Sequence, residues 1–361
     1  MRRGLISWSR EEMPVAVLDA RVAQLQTAMR ADNLAAVLAY TSFAQPAAVH
    51  WLSNFTPYWS EALLVVFPDG APILLASLTQ RVHPWIREVC HIGDVLMVPR
   101  LGAGAAKLLA EKIGAEARVG VVGLESLPWS VAQPLFSAKA GATLVDASAL
   151  FAALRQPADA SERKLAVHAA AIGRAALDVA AADARHACQV SAAVEASARL
   201  AGAEEVLQRI APDLDRSAAL LRMEGDALLG ARHAIELSLA YKGVWVRLAR
   251  SVVTAGAAGT PASWQAAERW FADTVARIGE NHDGQLPIAA PGKLIRWSLE
   301  ASLGLLPLTV VAANDSAATH VLPPGSLAVF SVQLELDDGH WHCAAPLLIA
   351  EPGMPSAELN S

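Results

Sequence analysis

A chain of 361 residues, 54% of them hydrophobic, is long enough to bury two cores. Every apolar run is broken by Pro, Gly or charge before the roughly 18 residues that a membrane span needs, so no membrane partner is expected. With 29 basic against 35 acidic residues, a net charge of −6 and no sizeable Lys/Arg cluster, an electrostatic grip on nucleic acid is excluded as well.

The opening MRRGLISWSREEMP carries no apolar core before Glu11-Glu12, so no secretory leader is expected. Cys90, Cys188 and Cys343 lie far apart with no Cys-x-x-Cys pairing, which argues against a disulfide framework or a cysteine zinc site. A cytoplasmic protein is the expectation.

Leu18, Val22, Leu25 and Met29 recur at helical spacing, and the runs 35–38, 63–67 and 72–75 read as strands. Phe67-Pro68-Asp69-Gly70 is a turn, with Pro fixing φ and Gly accepting positive φ, so 62–76 should form a hairpin. Further strands are expected at 95–98, 119–122 and 143–145. The stretch Arg155 to Glu162 marks a boundary, where Pro157 stops what precedes it and Asp159 with Glu162 can cap a long helix. Leu165, Ala169, Ile172, Ala176 and Val179 supply its buried stripe. A second helix over 189–201 should end at Gly202. After a hairpin over 234–251, a helix near 263–279, a break at Ala290-Pro291-Gly292, a helix to Gly304 and late strands are expected. That order loosely repeats the preceding one, as a duplicated domain would.

Few motifs carry chemistry. LGAGAAKLL (101–109) lacks the third glycine of a dinucleotide fingerprint, and reads as a loop entering a helix. No G-x-S-x-G, P-loop or H-E-x-x-H occurs. Asp315, Ser316 and His320 read as ordinary loop residues, and His340 with His342 as two same-face strand histidines that lack a third ligand.

The hairpin is more informative. A two-residue turn at Lys242-Gly243 sets 240 opposite 245, 238 opposite 247 and 236 opposite 249. Glu236, Ser238, Arg247 and Ala249 then share one face, and Ile235, Leu237, Leu239, Val246 and Leu248 the other. Glu236 and Arg247 sit diagonally, within reach of an ion pair. At a solvated face such a pair is an ordinary surface feature.

Taken in order, these elements resemble the creatinase/prolidase/methionine-aminopeptidase family over nearly the whole chain. The similarity is carried by Arg21, Leu25 and Met29, by His50-Trp51-Leu52-Ser53-Asn54-Phe55, by Pro68-Asp69-Gly70, by the helices from 155 and 189, and by Leu322-Pro323-Pro324-Gly325. It implies an α/β (α+β) protein with a creatinase-type N-terminal domain over 1–154 and a pita-bread domain over 155–361.

The resemblance also implies what is missing. Active metallopeptidases of the family carry an Asp on each hairpin arm followed by Thr-Arg-Thr, and here those positions read Glu236, Arg247 and Ala249-Arg250-Ser251. The family's Gly-His-Gly loop has no counterpart in 305–321, where His320 is the first histidine. Its late glutamates align with Ser331 and Ala344, and its additional histidine with Ala219. A fixed guanidinium cannot serve as a metal ligand. The expectation is a catalytically degenerate protein with no metal and no cofactor, acting as a binding or regulatory subunit. It would act as a homo-oligomer, or as a hetero-oligomer with a catalytically complete relative. The alternative is metal-independent, creatinase-like hydrolysis of a C–N bond in a small polar metabolite, with Arg247 clamping a carboxylate. Glu236, Arg247, Ser331, Gln333, His320 and His342 are the candidate pocket residues, with no catalytic residue assigned.

Overall fold

The computed structural model describes residues 7–57, 60–114, 116–137, 143–179, 184–222, 225–257, 259–278, 285–314, 321–351 and 354–359. The chain divides into two compact units, one of residues up to Arg155 with Leu303–Pro307, the other of Gln156–Ser302 with Leu308 onward.

The first unit runs α1 (Val15–Ala31), β1 (Ala36–Thr41), α2 (Ala47–Ser53), β2 (Ala62–Val66), β3 (Ile73–Ala76), α3 (His83–Val89), β4 (Asp94–Met97), α4 (Leu101–Lys112), β5 (Arg118–Val122), α5 (Trp129–Ser137), β6 (Thr143–Asp146) and α6 (Ser148–Leu154). Its mixed sheet has the order β4-β3-β2-β1-β5-β6, with β1, β2 and β3 antiparallel neighbours and the outer pairs parallel. Both faces are covered, which is why the central strands read as unbroken apolar runs rather than alternating ones. Ala62, Leu64 and Val66 pack into one core with Leu25, Leu52 and Phe55, whereas Leu63 and Val65 enter the other with Leu108 and Val131. The expected 62–76 hairpin is β2 with β3, turning through Gly70 at φ 84°.

The glycines of LGAGAAKLL lie inside α4 and serve close packing. A Cβ on Gly102 would stand 2.4 Å from the Val131 carbonyl oxygen, and one on Gly104 2.6 Å from a Val98 methyl.

The second unit runs α7 (Ala160–Val179), α8 (Ala187–Leu200), β7 (Glu205–Ala211), β8 (Arg232–Tyr241), β9 (Val244–Val253), α9 (Ala262–Arg277), β10 (Lys293–Ala301), β11 (Thr309–Ala313), β12 (Leu327–Leu336), β13 (Gly339–Leu348) and β14 (Ala357–Glu358). Asp159 Oδ1 accepts the Glu162 amide at 2.8 Å, so α7 starts where its capping residues predict. Leu165, Ala169, Ile172 and Ala176 are buried as expected, but Val179 is 60% exposed where the stripe reaches the last helical turn. Gly202, at φ 103°, follows α8.

Eight strands form an antiparallel sheet of order β11-β10-β12-β13-β9-β8-β7, with β14 paired to β13. One face packs Ile235, Leu237, Leu239, Val246 and Leu248 against α7 and α8. Trp264 and Phe271 of α9 join Trp297, Phe330 and Trp341 in a separate core. Lys242 and Gly243 have φ of 47° and 76°, the positive pair of a two-residue hairpin turn, and Ala240↔Trp245, Ser238↔Arg247 and Glu236↔Ala249 are in register.

The expected helix ending at Gly304 is instead strand β10. A register shift between Leu294 and Arg296 breaks its period of two, and Leu294, Trp297 and Ala301 then imitate helical spacing.

Candidate functional site

The strand register assembles the site from residues far apart in the chain. Directly paired residues of an antiparallel sheet point to one face. The pairs Ser298↔Ser331, Ser331↔Ala344, Ala344↔Ala249, Ala249↔Glu236 and Glu236↔Arg209 therefore form one row across five inter-strand steps. Two residues along each strand, the same face presents Glu300 and Arg247. Two residues the other way it presents Arg296, Gln333 and His342. The polar side chains of this face, Arg209, Glu236, Arg247, Arg296, Ser298, Glu300, Ser331, Gln333 and His342, line a cavity of about 110 Å³.

Ions are paired tightly inside it. Arg209 donates from Nε and Nη2 to Glu236 Oε1 at 2.8 and 2.5 Å. Arg247 donates from Nε to Ser238 Oγ at 2.9 Å and from Nη1 to Glu300 Oε1, and its Nε lies 3.8 Å from Glu236 Oε1. Ser298 Oγ donates to the same Glu300 oxygen at 3.0 Å. His342 Nδ1 lies 2.8 Å from the Val332 carbonyl, an acceptor only, so Nδ1 carries a proton. Its Nε2 lies 3.3 Å from Glu236 Oε2.

Glu236 is 4% exposed. Burial alone would raise its pKa, but His342, Arg247 and Arg209 together outweigh that and hold it near 2. The diagonal pair expected at a solvated face is thus a buried network, in which Arg247 leans chiefly on Glu300 and Arg209 is the close partner of Glu236.

Residues 21–156 match the creatinase/prolidase N-terminal domain family. Solved structures extend the likeness over nearly the whole chain. The prolidase of Pyrococcus horikoshii OT3 is 17% identical with a TM-score of 0.69, over 95% of this chain and 98% of that one. The dipeptidase PepE of Mycobacterium ulcerans is 17% identical with a TM-score of 0.66, over 96% of both chains. The X-Pro aminopeptidase of Thermotoga maritima MSB8 is 14% identical with a TM-score of 0.69, over 94% and 97%. The chain has the creatinase/prolidase architecture. No curated protein sequence matches it. The second unit is accordingly a pita-bread domain.

Of the residues expected from sequence, Glu236, Arg247, Ser331, Gln333 and His342 meet in the pita-bread cavity, and His320 lies outside the described residues. Gln333 Nε2 donates to the Ala218 carbonyl at 3.2 Å. His233 stands apart from the cavity, with Nδ1 3.2 Å from Thr254 Oγ1, and burial lowers its pKa to about 4. Arg209, Arg296, Ser298 and Glu300 were not expected. The signal that finds them is strand register, because neither β7, which carries Arg209, nor β10, which carries the other three, reads as a strand from sequence alone.

Among the described residues no group of three or more His, Cys, Asp or Glu side chains could hold a metal ion, and no helix is long and apolar enough to cross a membrane.

Proposed function

We propose that this prolidase-fold protein is a non-catalytic, metal-independent binding or regulatory subunit, in which an arginine-centred ion network fills the space where peptidases of this fold bind metals. The observation that supports it is Arg247, whose guanidinium engages Glu300 and stands 3.8 Å from Glu236 in the cavity. A pair of divalent ions needs several free anionic oxygens and an imidazole. Glu236 is instead committed to Arg209 and faces His342, and Glu300 to Arg247 and Ser298. The residues present therefore do not fit that centre.

The proton inventory supports the same reading. A carboxylate with a pKa near 2 is a weak general base at neutral pH. A second reading, metal-independent hydrolysis of a C–N bond, draws on the 3.3 Å approach of His342 to Glu236. In that arrangement Nδ1 donates to a backbone carbonyl, and Nε2, which makes no hydrogen bond, is the one ring nitrogen left to take a substrate proton, in competition with the Glu236 carboxylate that it faces.

The test is elemental analysis of the purified chain together with an Xaa-Pro dipeptide assay in added manganese. Neither bound metal nor turnover is expected. Two tightly held equivalents of metal, or brisk dipeptide cleavage, would overturn the proposal. Affinity purification from the native cell separates the two assemblies: a complete relative in the eluate identifies a hetero-oligomer, and the chain alone at twice its mass a homo-oligomer.

A further inference from the structure

We infer that the cavity binds a small monoanionic carboxylate through Arg296 and Ser331, a ligand class that rests on the metal-free reading above. Arg247 is poorly placed to clamp such a ligand, because its Nε is spent on Ser238 and its Nη1 on Glu300. Arg209 likewise spends Nε and Nη2 on Glu236. Arg296 differs from both. It is exposed, lines the cavity, is fixed by its backbone opposite Gln333, and has no hydrogen bond or ion pair among the described residues.

Ser331 is the independent sign that something is to be bound. It is 8% exposed and lines the cavity, and its Oγ is fully buried without a hydrogen-bond partner. A buried hydroxyl left unsatisfied is costly, and native proteins retain few of them. An acceptor arriving in the cavity satisfies it. The position lies directly opposite Ser298 in the register row, so the hydroxyl points over the same face as the three guanidiniums.

Charge sets the class of ligand. Three guanidiniums against two carboxylates leave one positive charge uncompensated before His342 is counted. An anion offsets the excess positive charge, and the neighbouring carboxylates of Glu236 and Glu300 favour the smaller charge of a monoanion over a phosphate dianion. The planar Arg fork matches a planar carboxylate, with one edge of the ligand on Arg296 and an oxygen left for Ser331. A space of about 110 Å³ is smaller than cavities that admit benzene, which suits an ion of acetate to lactate size.

The experiment is calorimetric titration of formate, acetate, lactate and inorganic phosphate into the full-length protein in chloride-poor buffer at neutral pH, with metal content measured on the same sample. Saturable binding of at least one carboxylate, tighter than phosphate, is expected. Arg296→Gln should weaken it more than about ten-fold, and Ser331→Ala several-fold. Ser331→Ala should also leave the thermal midpoint of the empty protein unchanged or raised, because it removes an unsatisfied hydroxyl. A residue there only for packing would not lower affinity while sparing stability. Absence of saturable carboxylate binding, tighter binding of phosphate, or unchanged carboxylate affinity in a folded Arg296→Gln protein would each overturn the inference. A metal-free sample that ignores carboxylates removes this inference alone, while two bound equivalents of metal remove the reading beneath it.

Discussion

Arg247 of β9 and Glu300 of β10 are ion-paired although β12 and β13 lie between their strands in the sheet. Their side chains are 17% and 8% exposed, so the pair is largely withdrawn from water. A buried pair of this kind contributes little net stability compared with an apolar replacement of both partners, but removing one partner strands a charge. Arg247→Met keeps most of the stem and deletes the charge, and should cost about 3–5 kcal/mol. Adding Glu300→Gln should recover a large part of that loss. Urea unfolding of the two single variants and the double variant measures the coupling. A loss below about 1 kcal/mol in Arg247→Met would mean that the carboxylates find other partners.

Acid should expose the Glu236 network. Its carboxyl is held near 2 in the folded chain against an ordinary value of 4.5. A depressed folded pKa gives stability that is present above the unfolded value and is lost as pH falls through the folded one. The window is therefore from about 4.5 down to about 2, and the contribution is on the order of 3 kcal/mol. Stability curves from pH 6 to pH 2 should steepen in that interval, and Glu236→Gln should flatten it. A variant that keeps the wild-type acid slope would place the sensitivity on another carboxylate.

Glu204 should behave in the opposite sense. It is as buried as Glu236, at 3% exposed, but among the described residues its carboxylate meets no guanidinium, and Arg199 Nη1 donates to its backbone carbonyl instead, at 3.2 Å. Its Oε1 accepts the Lys242 amide at 2.5 Å, and the Gly243 amide lies 3.5 Å from Oε2, beneath the hairpin turn. Desolvation dominates and raises its pKa from 4.5 to about 7, against the partial relief of those two amides. The folded state thus holds a proton that the unfolded chain has released. Stability should be greatest below about 4.5 on this account and fall, by on the order of 3 kcal/mol, as pH rises through about 7. The two windows do not overlap, so Glu204→Gln should remove the neutral-range slope and leave the acid limb in place. Thermal midpoints at pH 5, 6, 7 and 8 decide it.

Much of this was legible because the relevant signals are local. Lys242-Gly243 dictates a two-residue turn, and the turn dictates which residues of β8 and β9 oppose each other, so the diagonal of Glu236 and Arg247 follows from counting. Asp159 announces α7 in the same way. What escaped was non-local. Glu300 sits in KLIRWSLEA, where an irregular register allows a helical reading, and nothing near it in sequence points to Arg247. Arg209 lies in EVLQRIA, and only its pairing with Glu236 reveals it as the carboxylate's partner. The burial of the network was equally hidden. An Arg beside a Glu reads as a surface pair until the strands β10, β12 and β13 are known to extend the same face.

The LGAGAAKLL motif yields a last prediction. Its glycines resemble a phosphate-binding turn, but they lie within α4, and Gly102 has no room for a methyl group. The added Cβ would meet backbone, at 2.4 Å from the Val131 oxygen and 2.9 Å from its carbonyl carbon, and helix α5 would have to move to admit it. Helix propensity alone favours alanine over glycine by about 1 kcal/mol. Overpacking against a backbone atom costs about 1–3 kcal/mol and should win. Gly102→Ala is therefore expected to lower stability. Gly114→Ala, two residues past the end of α4 with nothing within 4 Å of the new methyl, should be neutral or slightly stabilising. Urea unfolding of the two variants side by side checks the contrast. If Gly102→Ala gained the stability that helix propensity predicts, α4 and α5 would have to pack less closely than 2.4 Å implies, and the motif would again need another explanation.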